Sequence, residues 1–188
     1  MAHYSYPTTE GLELLREFVN TVHHEQGVSH DDLATPQDLR GFLAKRGFGD
    51  VAVKPADLRR ALEVREALRD VMGANNGEPL DPESVELLNR AAARAKVVAA
   101  FDDHASWRVE PASDGVDEAL GQMLATVFRS MSDGTWSRMK ACGNPDCRWA
   151  FYDATKNRSG RWCEMASCGN RMKARAFRER ARKAKPRT

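Results

Sequence analysis

Cysteine is absent from the first 141 residues of this 188-residue chain, and long apolar runs are absent throughout. The longest is the five-residue stretch from Val97 to Phe101, far short of the ~20 residues a bilayer-spanning helix needs. The opening segment, from Met1 to Pro7, has neither a basic n-region nor an apolar h-region, so it does not read as a signal peptide. The chain therefore reads as cytoplasmic, with no membrane partner. Catalytic hallmarks are missing too. No Ser/His/Asp set, phosphate-cradling glycine loop or His-x-x-Glu-His type zinc site occurs, so an enzyme is not the expectation. Internal repeats are lacking as well. Apolar content of 41% still suffices for a core, and 30% charge suits a solvated surface.

Net charge is nearly absent as well, at +2, but this conceals two opposed halves. Residues 134–188 hold 15 Lys and Arg against 4 Asp and Glu, hence +11, whereas residues 1–133 hold 14 against 23, hence −9. A basic end on an acidic body is the pattern of a segment that meets a polyanion, or of one that docks on an acidic protein surface.

The first two-thirds carries helical periodicity. Leu12, Leu15, Phe18, Val19 and Val22 fall on one helix face, with Thr8 or Thr9 as cap and Glu10 and Glu13 near the positive end. Thr35-Pro36 opens a second helix that runs to Lys45 and stops at Gly47. Pro55 opens a third, striped by Leu58, Ala61, Leu62, Leu68, Val71 and Met72 and broken by Gly73 and Asn75-Asn76-Gly77. Asp81-Pro82 starts a fourth through Val85, Leu87, Leu88 and Ala92. The period then changes to two short strands, 97–101 and 107–110, which read as a hairpin around Asp102-Asp103-His104. A long helix from Asp114 or Asp117 carries Leu120, Met123, Leu124, Val127, Phe128 and Met131. His23, His24 and His30 suggest a second metal cluster. Adjacent histidines on a helix diverge, so surface histidines near a loop are the expectation.

The boundary falls near Ser132-Asp133-Gly134, giving a helical domain over 1–133 and a basic module over 134–188. All four cysteines lie in the latter, spaced Cys142-x4-Cys147-x15-Cys163-x4-Cys168. Two close pairs separated by a loop suit tetrahedral thiolate coordination of zinc, each pair turning two sulfurs towards one point. Disulfides conflict with a reducing cytosol, and an iron–sulfur cluster is the alternative metal group. All five histidines lie outside the segment, which argues against a catalytic zinc with an open position. A module of ~55 residues is marginal alone. Structural zinc, contributing on the order of 10–16 kcal/mol in finger peptides, is ample to hold it.

Around the metal, 136–140 and 149–152 read as strands, and 170–184 as a helix stopped by Pro186. The fold expectation is therefore mainly α with a small β-hairpin in the N-terminal domain, followed by a treble-clef-like four-cysteine zinc module of hairpin plus helix. On the last helix Ala174, Phe177 and Ala181 are expected to pack inward, leaving Arg171, Arg175, Arg178 and Arg182 as a continuous basic face.

The stretch Cys142-Gly-Asn-Pro-Asp-Cys147, the Phe151-Tyr-Asp153 segment, the Arg161-Trp-Cys163 junction and the tetrapeptide Cys168-Gly-Asn-Arg171 closely resemble the CGNR zinc finger. The N-terminal part, through Phe18-Val-Asn-Thr-Val22, Asp38-Leu-Arg-Gly-Phe-Leu43 and Val64-Arg-Glu-Ala-Leu68, resembles the ABATE domain that usually precedes this finger. The resemblance implies a bacterial-type, stress-related transcription regulator. It carries over Cys142, Cys147, Cys163 and Cys168 as zinc ligands and Arg171 as the tetrapeptide's last residue.

DNA is accordingly the expected partner, met by Arg161, Arg171, Lys173, Arg175, Arg178 and Arg182 through phosphate and guanine contacts. RNA, stacked on Trp136, Trp149, Tyr152 or Trp162, is a variant. A protein-docking or dimerisation module, including a homodimer, is the reading from another class. The helical domain would be a ligand sensor for a small-molecule effector, with Asn20, Arg65 and Glu66 as polar groups inside apolar stripes. Ordinary surface or salt-bridged residues are the blander account of all three.

Overall fold

A computed structural model describes residues 10–25, 28–101, 103 and 106–183. The expected Thr8 or Thr9 cap, most of the 102–104 turn and the Pro186 helix stop lie outside these residues.

Helix α1 (Glu10–Val19) leads into a hairpin, β1 (Val22–Glu25) and β2 (Val28–Asp31). Helices α2 (Pro36–Ala44), α3 (Pro55–Ala74) and α4 (Pro82–Arg94) follow, then β3 (Val97–Phe101) and β4 (Trp107–Pro111), and helix α5 (Gly115–Ser132). A 3-10 turn (Trp136–Arg138), β5 (Met139–Ala141), β6 (Ala150–Tyr152), a π turn (Met165–Gly169) and α6 (Asn170–Lys183) complete the chain. Each strand pair is antiparallel and two-stranded. Start signals act as the sequence predicts. Thr35 and Asp38 form a reciprocal capping box at α2, and Asp81 accepts from the Glu83 amide at α4. Gly47, at φ +86°, turns the chain out of α2.

The core gathers Leu12, Leu15 and Phe18 of α1, Leu39 and Leu43 of α2, Leu68 and Met72 of α3, and Met123 and Leu124 of α5. Phe128 and Met131 stay exposed, one at the margin of the α5 stripe and the other in its final turn. Gly121 permits close approach of the β3–β4 hairpin. A Cβ there would lie 2.6 Å from the Pro111 Cβ.

Three readings of local structure are corrected. Val22 does not extend the α1 stripe, because the Thr21 hydroxyl and amide both bond Phe18 O and the β-branched Val22 then enters a strand. The histidine segment is consequently a second hairpin rather than a loop. In the C-terminal module, 136–138 is a 3-10 turn, so the first strand starts at Met139, and the second at Ala150.

The zinc segment shares the core of the helical body. Trp136, Met139, Ala141 and Ala150 are buried in the same cluster as Leu15, Phe18, Leu68 and Met72. Backbone groups of the β5–β6 hairpin are met by side-chain amides from the body. Asn20 donates to Ala150 O at 2.9 Å and accepts from Ala150 N at 2.7 Å, as a neighbouring strand would. Asn75 donates to Trp136 O and Met139 O at 2.9 and 2.8 Å, and Asn76 to Ala141 O and Arg161 O, each at 2.9 Å. Buried backbone groups left unpaired cost about 1–3 kcal/mol each. Asn20→Ala strands two of them, so chemical denaturation is expected to show a loss of at least about 2 kcal/mol, whereas Asn75→Ser is expected to cost less.

Candidate metal centre and nucleic-acid interface

The first cysteine pair lies on the turn that joins β5 to β6. Cys142 N donates to Trp149 O at 2.9 Å, extending the ladder, and Cys147 N donates to Asn144 O at 2.9 Å, closing the turn. Arg148, at φ +49°, then reverses the chain into β6. The second pair sits at the opening of the terminal helix, with Cys168 inside the π turn. The two pairs are stitched by the Gly143 amide donating to Arg161 O at 2.9 Å and by buried Asn144, whose Nδ2 donates to Cys168 Sγ at 3.5 Å.

All four sulfurs lie within 4.8 Å of one another. Cys147 and Cys163 are 3.7 Å apart and Cys163 and Cys168 3.8 Å, matching the edge of about 3.8 Å of a tetrahedron with zinc–sulfur bonds of about 2.3 Å. Cys142 and Cys168 are buried, and Cys147 and Cys163 are half-buried. Hydrogen bonding from Cys147 and Cys163 holds the Cys142 thiol far below its ordinary value, at about 2. Sharing with Cys142 pushes Cys147 up to about 12 and Cys163 further still. So close a set accommodates one thiolate readily and resists the next, until a divalent cation replaces the shared protons. The residues fit structural zinc, with a closed all-thiolate shell that leaves no position for substrate.

A buried ion pair braces the hairpin. Lys140 Nζ lies 2.7 Å from Asp153 Oδ2 and donates to Arg158 O and Gly160 O at 2.6 and 3.0 Å. Asp153 also accepts from the amides of Thr155 and Gly160. Arg148 reaches Asp70 at 3.0 Å and Glu78 at 3.4 Å, and Arg138 bonds the carbonyls of Asp153 and Thr155. These cations hold the module together and against the body. Those of α6 are different. Arg171, Arg175, Arg178 and Arg182 share one face by helical spacing, Lys173 projects from the opposite side of the helix, and all are exposed. Arg175 pairs with Glu179 at 3.3 Å. Arg161 is exposed, 5.7 Å from the Trp162 ring.

The inward face expected for α6 is corrected. Ala174, Phe177 and Ala181 are exposed, Phe177 at 66%, and only Met172 and Ala176 are half-buried. The wide π turn ahead of the helix rotates its register, and beyond Ala176 the helix passes the small zinc core. Arg180 and Lys183, not singled out in the sequence, share this exposure.

The three polar residues named for ligand binding do not line a common cleft. Asn20 is the β6 partner described above and also lines a cleft of about 660 Å³ between α1 and α2, with Gln37, Phe42, Lys45 and Trp149. Arg65 is buried in a two-oxygen pair with Asp31, at 2.8 Å to each, and also bonds Thr21 and Glu66. Glu66 bridges Arg65 and Arg69 at 2.9 and 3.0 Å and borders a cleft of about 390 Å³ between α3 and α4. Arg69 donates to Arg148 O at 2.8 Å and to Val19 O. Burial holds its pKa below the ordinary arginine value.

The assembly is thus a helical body into which a four-cysteine zinc finger is packed, with a basic helix left outside. The chain belongs to the ABATE family, whose model, described as "Putative stress-induced transcription regulator", matches residues 12–133. The CGNR zinc finger model matches residues 138–181. No curated protein matches the chain significantly.

Atomic absorption of the purified chain is expected to give one zinc per molecule. Cys168→Ser is expected to abolish it. Asn144→Ala, which removes the amide donor to a ligand sulfur, is expected to weaken retention against a chelator about 10–100-fold.

Proposed function

We propose that this protein is a DNA-binding transcription regulator that contacts the duplex through α6 and the adjoining finger surface. The observation that carries the reading is the contrast between its cations. Those of the hairpin are engaged by the protein, whereas Arg171, Lys173, Arg178, Arg180, Arg182 and Lys183 on α6 have no hydrogen-bond or ion-pair partner among the described residues. Phosphates would supply the missing counter-charge, releasing counterions as they bind. The family description points the same way. The closed zinc shell favours a structural role for the metal, hence binding rather than catalysis.

The helical body would then be the sensor. The cleft of about 660 Å³ between α1 and α2 falls within the size range of small-molecule sites. Trp149 lines it two residues from Cys147, so a small effector seated there would touch both body and finger.

A second reading is favoured by one feature of α6. The exposed Phe177, with Ala174 and Ala181, makes an apolar stripe beside the arginines, suited to docking on an acidic protein surface or a second copy. RNA stacking has less support, since Trp136 is buried in the core and Tyr152 packs against it.

Zinc-loaded protein is expected to bind mixed-sequence duplex DNA with a log–log salt slope of about −4 to −5, from some five phosphate contacts. Arg171→Ala/Arg178→Ala is expected to make that slope shallower by about 2. Absence of binding at low salt, with zinc confirmed, would reject DNA contact. Salt-sensitive self-association without DNA affinity would support docking.

A further inference from the structure

The histidines of the β1–β2 hairpin are not absorbed by the zinc finger or by any DNA contact. The sequence set them aside because neighbouring histidines diverge on a helix, but they lie on strands. In the antiparallel register His23 faces His30 directly, while His24 alternates with His23 along β1 and pairs with Ser29. The two facing imidazoles are nearly parallel, at 22°, with centroids 5.4 Å apart. His30 is exposed and His23 half-buried.

We propose that His23 and His30 form a binding site for a first-row divalent transition metal, separate from the four-cysteine zinc centre. A metal bonded at about 2.1 Å to one nitrogen of each ring lies roughly 3.2 Å from each centroid. A centroid separation of 5.4 Å then corresponds to a nitrogen–metal–nitrogen angle of roughly 110°, within the tetrahedral range once the imidazoles turn out of their stacked arrangement so that each aims a nitrogen at the metal. Imidazole nitrogen selects nickel, copper or zinc over the oxygen-seeking magnesium and calcium, and water completes the shell on the exposed side.

The hairpin is also held ready. Arg65 Nη1 donates to Thr21 Oγ1 at 3.1 Å, just before β1, and the guanidinium grips both Asp31 oxygens at the end of β2. One buried side chain therefore pins both ends of the hairpin, fixing the cross-strand register that brings the two rings together. His23 further packs edge-on to Trp149, at 6.1 Å and 78°, which places the metal beside the zinc-bearing turn. The site does not depend on DNA contact.

The test is calorimetric titration of the tag-free, zinc-loaded full chain with Ni²⁺, with zinc content measured before and after. One Ni²⁺ per chain is expected in addition to retained zinc. His30→Ala and His23→Gln are each expected to weaken this binding about 100-fold, whereas His24→Ala, at the register position that pairs with Ser29, leaves it unchanged. His30 is exposed, so its variant keeps the fold and its zinc. No Ni²⁺ beyond the zinc, displacement of the zinc by Ni²⁺, or equal binding by His30→Ala and His24→Ala would overturn the proposal.

Discussion

A hairpin of two three-residue strands cannot sustain itself, and the organisation of this protein follows from how its backbone groups are satisfied. The zinc centre pins the turn that joins β5 to β6. The body supplies the rest, with Asn20 completing the outer edge of β6 and Asn75 and Asn76 bonding the β5 carbonyls. Arg69 adds a bond to Arg148 O within the reversal itself. Apolar burial accompanies each of these contacts, because Met139, Ala141 and Ala150 belong to the core of the body. The finger is therefore a structural part of the helical body as well as an appendage in the sequence.

This packing divides the positive charge of the C-terminal segment. Lys140, Arg138 and Arg148 are drawn into the module and its seam, where removing one partner of a buried pair is costly. What is left for an external polyanion is concentrated on α6, which leaves the zinc core after its second turn and carries its arginines into solvent. The cleft beside Trp149 and the His23–Trp149 contact lie at the same seam. A change in the body therefore has a short path to the metal-bearing turn, a matter of contiguous contacts.

Much of this was legible in the sequence. Helices α2 to α5 announced themselves through Thr35-Pro36, Pro55, Asp81-Pro82 and their apolar stripes, since caps and prolines act locally. The cysteine spacing named the metal because coordination constrains the chain directly. The β1–β2 hairpin was not legible, because Val22 continued the α1 period by coincidence and the turn at Thr21 depends on one hydroxyl. The roles of Asn20, Asn75, Asn76 and Arg69 were equally hidden. Asn75-Asn76 read as a helix stop, which it is, but its long-range partners lie more than 60 residues away. Asn144 was closer to view, since an asparagine inside a ligand turn has a sulfur within reach. The facing of α6 failed for a third reason, as a π turn changes helical phase without any composition signal.

The most direct measurement of this account is amide hydrogen exchange on the full chain with zinc bound and after chelation. If the finger is built into the body, removing zinc deprotects the last turns of α1 and α3 together with β5 and β6. If exchange quickens only across the four-cysteine segment while Phe18, Val19, Met72 and Gly73 keep their protection, the finger folds independently and the shared core does not couple them.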